Sequence, residues 1–107
     1  NLNELTENGE DLEIIPVELE ERKIIQTGIR KNELDLFIRD ENGCELYVDV
    51  KNTARRYGKR QAERWLRIAD HIKAKNEKSL FLVYSENGFT KGIKELLKEH
   101  EVLIVTL

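Results

Sequence analysis

Several features are scarce in this sequence of 107 residues, and each absence excludes a class of protein. The chain contains one cysteine, one proline and no methionine. A single cysteine, Cys44, excludes an internal disulfide framework and a cysteine zinc cluster, and it favours a reducing, cytoplasmic compartment. The longest apolar runs, at residues 80–84 and 102–105, are far too short to span a bilayer, so we expect no membrane partner. The absence of methionine is expected of a segment cut from a longer protein.

Charged residues, in contrast, are abundant, and the two signs are segregated along the chain. Residues 1–21 contain eight acidic residues and no basic one, whereas residues 51–67 contain seven basic residues and one acidic one. The formal net charge of -3 therefore conceals a segment with a balance of +6. Such a basic segment is the usual electrostatic footprint of contact with a phosphate backbone, although a solvated helix face can have the same composition.

Length and composition are those of one folded domain. We expect an acidic, partly irregular segment over residues 1–21 and a single domain over residues 22–107. A short β-branched run bounded by glycine predicts a strand over residues 22–29. Two alternating apolar runs, at 33–39 and 45–51, predict a β-hairpin.

The second half of the chain alternates between helical and strand patterns. Apolar residues at helical spacing predict an amphipathic helix that starts at residue 56 or 59 and ends near residue 75. A buried strand over 79–84, a second helix ending near residue 99 and a last strand over 102–106 follow. This order predicts an α/β fold: a central mixed β-sheet of about four to five strands, flanked by α-helices on its faces.

The register of the hairpin determines which side chains share a face of the sheet. A three-residue loop over 41–43, with Gly43 in the left-handed conformation, pairs residues whose numbers sum to 84. This register places Asp35 directly opposite Asp49, with Lys51 beside them. It also collects one set of apolar residues on the other face, namely Leu34, Leu36, Ile38, Leu46, Val48 and Val50.

Two opposed aspartates repel each other, which raises a pKa or attracts a cation. A hard divalent ion such as Mg²⁺ or Mn²⁺, held by one or two carboxylates and by water, would remove the repulsion. Lys51 would then lie at the rim, where an ammonium group can orient a water or stabilise developing phosphate charge. Alternatively, Asp35 and Asp49 are solvated and are compensated by Lys51 and Arg30.

These strands resemble the PD-(D/E)XK nuclease superfamily, in which one strand carries an acid and its neighbour an acid-x-lysine triplet. The resemblance lies in ELDL at residues 33–36 and YVDVK at residues 47–51. In the following helix, Gln61 and Trp65 resemble the Gln-x-x-x-Tyr element of RecB-like members, with tryptophan in place of tyrosine. The superfamily, which includes Holliday-junction-resolvase-like and Mrr-like members, implies a restriction-endonuclease-like fold over residues 22–107.

The resemblance implies a metal-dependent nuclease that hydrolyses phosphodiester bonds in DNA, with Mg²⁺ or Mn²⁺ as cofactor. Asp35, Asp49 and the carbonyl group of Val50 would hold the metal. Lys51 would position or activate the attacking water. Gln61 would either complete the catalytic set by reaching back toward the hairpin or be a polar residue at the edge of the buried face of the helix. The proline of the eponymous motif is absent from this sequence.

The basic segment follows the catalytic strand directly, so substrate phosphates would meet it close to the metal. We expect contacts with the nucleic-acid backbone from Asn52, Thr53, Arg55, Arg56, Lys59, Arg60, Arg64 and Arg67. Tyr57 would either stack on a base or sugar or cover the start of the helix. Affinity that rests on such contacts falls steeply with salt.

Two alternative functions stay open at this point. Superfamily members often carry an extra acid on a helix before the first catalytic strand. This sequence predicts no helix there, and Glu18, Glu20 or Glu21 would have to replace that acid. A catalytically inactive, nucleic-acid-binding module of a larger protein would tolerate its absence. A protein-interaction domain would instead use the acidic residues 1–21 against a basic partner. For a nuclease, a homodimer or further domains of a longer chain would have to supply target recognition.

Overall fold

The computed structural model describes residues 6–8 and 15–105. Part of the predicted acidic segment and Thr106 of the predicted last strand lie outside the described residues. No helix in the described part of the chain is long and apolar enough to cross a membrane. The elements are, in order, β1 (Pro16–Thr27), β2 (Arg30–Asp40), β3 (Glu45–Lys51), α1 (Lys59–Lys73), β4 (Ser79–Ser85), α2 (Ile93–Glu99) and β5 (Leu103–Val105).

The predicted α/β fold with a mixed sheet is confirmed. The five strands follow one another in the order β1-β2-β3-β4-β5, with antiparallel pairing from β1 to β3 and parallel pairing from β3 to β5. Each parallel pair is joined through a helix, and both connections advance in the same direction across the sheet. Right-handed connections of this kind place both helices on one face.

Helices α1 and α2 accordingly pack into a single core with one face of the sheet. Trp65 of α1 and Leu97 of α2 are buried there together with Phe81 of β4. The other face of the sheet carries a smaller cluster that includes Leu46 and Leu82 and contains strand residues only. The sequence predicted helices on the faces of the sheet, and the structure assigns both to the same face.

Strand β1 starts earlier than the sequence predicts, at Pro16 instead of residue 22. The predicted boundary between residues 1–21 and 22–107 therefore falls inside this strand. Its first half was missed because glutamates alternate with apolar residues that are largely exposed, such as Val17 at 63% and Leu19 at 60%. Such a composition is unusual for a central strand but is tolerated at a sheet edge, where charged side chains are common.

The predicted hairpin register is confirmed, since Phe37 pairs with Tyr47 and Ile38 with Leu46. Gly43 has a φ of 79°, the left-handed conformation that the loop requires. The ladder between β2 and β3 ends at the Leu36–Val48 pair. The two aspartates predicted to face each other lie just beyond this last pair.

The predicted apolar face is wrong at one position, because Leu34 packs in the helix-covered core whereas Leu36 packs in the cluster on the opposite face. The β1–β2 ladder is interrupted at Asp35, which lies between these two residues, because Asp35 does not pair with Arg22. Arg22 has a φ of 55°, and this local departure from strand geometry accompanies the change of face. Val50 is also partly exposed, at 36%.

Candidate metal and nucleic-acid site

The carboxylates of Asp35 and Asp49 lie close together where β2 and β3 separate. Asp35 Oδ2 accepts a hydrogen bond of 2.8 Å from the backbone N–H of Val50, which ties the first acid to the strand that carries the second. Burial raises the pKa of Asp49 to about 6, and the neighbouring Asp35 also raises it, through its charge and as a hydrogen-bonding partner. The structure therefore brings together the two acids that the hairpin register predicts as a pair.

Two other groups favour the ionised form of Asp49 and oppose the rise of its pKa. The hydroxyl group of Tyr57 donates a hydrogen bond of 2.8 Å to Asp49 Oδ2. The positive charge of Arg64 acts in the same direction. Arg64 Nη2 donates to the carbonyl oxygen of Glu33 at 3.1 Å, so its side chain extends from α1 to the strand that carries Asp35.

Lys51 is the last residue of β3 and pairs with Ser85 of the parallel strand β4. Alternation along the strand places its side chain on the same side as that of Asp49, and the side chain of Val50 on the other. The carbonyl oxygen of Lys51 accepts a hydrogen bond of 2.9 Å from the N–H of Glu86. Its ammonium group forms no ion pair with any acid among the described residues, so it is available for a substrate or a water.

No third acid joins the pair in the described ranges 6–8 and 15–105. Glu18 forms an ion pair of 2.5 Å with Arg39, and Glu20 forms one of 3.3 Å with Lys23. In the same ranges, no cluster of three or more acidic, histidine or cysteine side chains is suited to a metal. Two carboxylates and a backbone carbonyl group still fit Mg²⁺, which commonly binds one or two protein carboxylates and completes its shell with water and substrate phosphate.

The structure places the side chain of Gln61, which the superfamily resemblance predicts to be catalytic, at the start of α1. Its Oε1 atom accepts a hydrogen bond of 3.0 Å from the backbone N–H of Gly58, the N-cap residue of α1. A glutamine three residues after the N-cap commonly makes this contact, because the first N–H groups of a helix have no partner within the helix. The side chain of Gln61 thus stabilises the start of the helix, and no described contact joins it to the two acids.

The structure corrects the predicted stacking of Tyr57 on a base or sugar, and supports the alternative that it covers the helix start. Tyr57 is only 1% exposed, so its ring has no face available to a nucleic acid. It packs against Phe89 with 5.6 Å between ring centroids, and burial raises its pKa above the usual range. The signal for this role was its position directly before the N-cap Gly58, where an apolar residue often packs against the first turns of the helix.

The other residues predicted to contact nucleic acid lie at the surface. The exposed ones are Asn52, Thr53, Arg55, Arg56, Lys59, Arg60 and Arg67, and Arg64 is half-buried. They occupy the connection from β3 to α1 and the outer side of the helix. Only Lys59 forms an ion pair among the described residues of this set, a long one of 3.8 Å to Glu63. Acidic side chains among the described residues therefore neutralise little of the positive charge of this surface.

Comparison with known proteins identifies relatives by structure and not by sequence. No protein-family model matches the chain, and no curated protein matches it. One solved structure that it resembles is a complex of EndoMS with double-stranded DNA, with a TM-score of 0.64 and 18% identity over 82% of this chain and 34% of that one. A repair endonuclease from Pyrococcus abyssi gives a TM-score of 0.60 and 21% identity over 82% of this chain and 39% of that one.

A protein of unknown function has the same fold, with a TM-score of 0.64 and 14% identity over 83% of this chain and 47% of that one. The chain therefore spans between about a third and a half of the length of these three proteins. At such low identity the likeness shows a shared fold alone, one that EndoMS and the Pyrococcus abyssi repair endonuclease also have.

Proposed function

We propose that this chain is a metal-dependent nuclease domain of the PD-(D/E)XK type that hydrolyses phosphodiester bonds in DNA. The observation that carries the proposal is the pairing of Asp35 and Asp49 at the point where their strands separate, with Lys51 following on β3. Two proteins of similar fold support it, because one is a repair endonuclease and the other is EndoMS in complex with double-stranded DNA.

In the proposed site, Asp35, Asp49 and the carbonyl group of Val50 hold Mg²⁺ or Mn²⁺. Bound there, such an ion would polarise a phosphate oxygen and lower the pKa of a bound water. Lys51 donates hydrogen bonds to the reacting phosphate or to the attacking water, and its charge offsets the negative charge that grows on the phosphate. Arg64, anchored on Glu33, keeps a second positive charge beside the two acids.

The exposed basic surface that follows β3 would hold the nucleic-acid backbone close to these residues. Arg55 and Arg56 lie in the connection to α1, and Lys59 and Arg60 form the start of the helix. Contacts of this type fix the position of the backbone without reading its sequence. Because the chain spans at most about half of the compared proteins, we propose that a second copy or a further domain supplies target recognition.

One observation favours a second candidate, a nuclease-fold module that binds nucleic acid without cleaving it. Among the described residues, no third acid joins Asp35 and Asp49 in a group that could hold a metal ion. A site with only two carboxylates holds a metal less tightly than one with three, so such a module would bind DNA with little dependence on the metal.

The two candidates are separated by incubating the protein with labelled duplex, single-stranded and branched DNA, with and without Mn²⁺. We expect cleavage of at least one substrate with Mn²⁺, none with a chelator, and none by Asp49→Ala. The variant Asp70→Ala is the matched control, because Asp70 is exposed on α1 and distant in sequence from the acid pair. DNA binding without cleavage under every condition would favour the inactive module.

A further inference from the structure

A buried tyrosine joins the proposed metal carboxylate to the start of α1. The hydroxyl oxygen of Tyr57 lies 2.8 Å from Asp49 Oδ2 and 3.2 Å from the backbone carbonyl oxygen of Gln61. A hydroxyl group has one proton to donate, and both neighbours are acceptors. The shorter contact and the negative charge of the carboxylate favour donation to Asp49.

The backbone of Tyr57 is held firmly on both sides. Its N–H donates to the carbonyl oxygen of Gly88 at 2.8 Å, and its own carbonyl oxygen accepts from the N–H of Thr90 at 2.9 Å. Together with the contact to Phe89, these bonds fix the ring against the connection between β4 and α2. The hydroxyl group is therefore presented to Asp49 from a rigid support, which is what orienting a carboxylate requires.

We propose that Tyr57 is a positioning residue of the metal site, which orients the Asp49 carboxylate by bonding Oδ2 and so leaves Oδ1 as the oxygen that binds the cation. The inference rests on the proposed function, because it assumes that Asp49 is a metal ligand. Groups that bond to a ligand in this way commonly change metal affinity by about 10- to 100-fold when they are removed.

The test is a calorimetric titration of Mn²⁺ alone into the unsubstituted protein, Tyr57→Phe and Tyr47→Phe. Tyr47 is a matched control, because it is also buried and its hydroxyl group also bonds to a carboxylate, that of Glu45 at 3.2 Å, at the other end of the hairpin. We expect Tyr57→Phe to weaken Mn²⁺ binding by about 10-fold or more and Tyr47→Phe to leave it unchanged. Excess Mn²⁺ should restore DNA cleavage by Tyr57→Phe, since the ligands and Lys51 are intact.

The outcomes separate this inference from the proposed function. Unchanged Mn²⁺ affinity in Tyr57→Phe would overturn the positioning role and leave the metal site standing, provided that Asp49→Ala abolishes binding. Failure of the unsubstituted protein to bind Mn²⁺ would overturn both. Should Tyr57→Phe fail to fold, the hydroxyl proton of Tyr57 can be followed by NMR in the unsubstituted protein. Its resonance should move on addition of Mg²⁺ while that of Tyr47 does not, and an unmoved Tyr57 resonance would overturn the inference.

Discussion

The backbone N–H of Val50 donates a hydrogen bond of 2.8 Å to the carboxylate of Asp35. This bond joins β2 to β3 after the regular ladder has ended at Leu36 and Val48. The two acids are thus held together by a side chain bonded to the backbone of the neighbouring strand, in a region where the strands have begun to separate.

The substitution Asp35→Asn should abolish cleavage without unfolding the protein. An amide oxygen can still accept the hydrogen bond from Val50, but it lacks the charge that a divalent cation needs. The repulsion between Asp35 and Asp49 is also removed, so thermal stability should be unchanged or higher. Cleavage assays with Mn²⁺ and a thermal unfolding curve check both points. Full cleavage by Asp35→Asn would contradict the assignment of this residue as a metal ligand.

Stability should depend on pH through Asp49. The pKa of this residue rises from 3.8 to about 6 in the folded chain, so the folded state binds a proton more tightly than the unfolded state. Its contribution to stability is therefore complete below pH 3.8 and is lost as the pH rises through about 6. The expected loss over the whole titration is about 3 kcal/mol.

This pH dependence is measured by denaturant unfolding in the presence of a chelator, at several pH values between about 3 and 7, which extends roughly one unit beyond the pKa values of the unfolded and folded states. The variant Asp49→Asn is the control, because it cannot titrate and should lack this part of the slope. An identical slope in both proteins would contradict the raised pKa.

Removal of two arginines from the basic surface should weaken DNA binding and reduce its dependence on salt. Each phosphate contact contributes a slope of about 0.9 to the plot of log affinity against log salt for duplex DNA. The double variant Arg55→Ala, Arg56→Ala should therefore lower the slope by about 2. Lys98→Ala, at an exposed position on α2, should leave it unchanged. An unaltered slope in the arginine variant would place the DNA elsewhere.

The capping role of Gln61 predicts a change in stability and not in chemistry. The variant Gln61→Ala loses the bond to the N–H of Gly58 and should cost about 1 kcal/mol in the free energy of unfolding. Cleavage by the folded variant should persist at nearly the unsubstituted rate. Loss of cleavage by a variant of undiminished stability would instead restore the catalytic role that the superfamily resemblance implies.

Short-range sequence patterns predicted the parts of this fold that depend on neighbouring residues, above all the β-hairpin. The alternation of apolar residues and the need for Gly43 in a tight loop fix the hairpin register, and from it the proximity of Asp35 and Asp49. Strand β1 was predicted incompletely because the pattern of an edge strand resembles that of an exposed acidic segment. The roles of Tyr57 and Gln61 could not be derived from spacing alone.

The roles of Tyr57 and Gln61 depend on contacts that the spacing of residues along the chain does not specify. Tyr57 is buried because residues 88–90 pack against it. Its position before Gly58 indicated contact with the helix start, but not with these distant residues. Gln61 bonds to the N-cap residue Gly58, and no described contact joins its side chain to the acids. Sequence spacing placed all these residues near one another but did not determine which of them contacts Asp49.

The most direct test of the proposed function is the rate of DNA cleavage by Lys51→Ala at saturating Mn²⁺. This variant keeps Asp35, Asp49 and the basic surface, so we expect it to bind Mn²⁺ and DNA as the unsubstituted protein does. Without the ammonium group, cleavage should fall by about 100-fold or more, in line with the loss of one charge-stabilising donor. Cleavage by Lys51→Ala at the unsubstituted rate would contradict the proposed site.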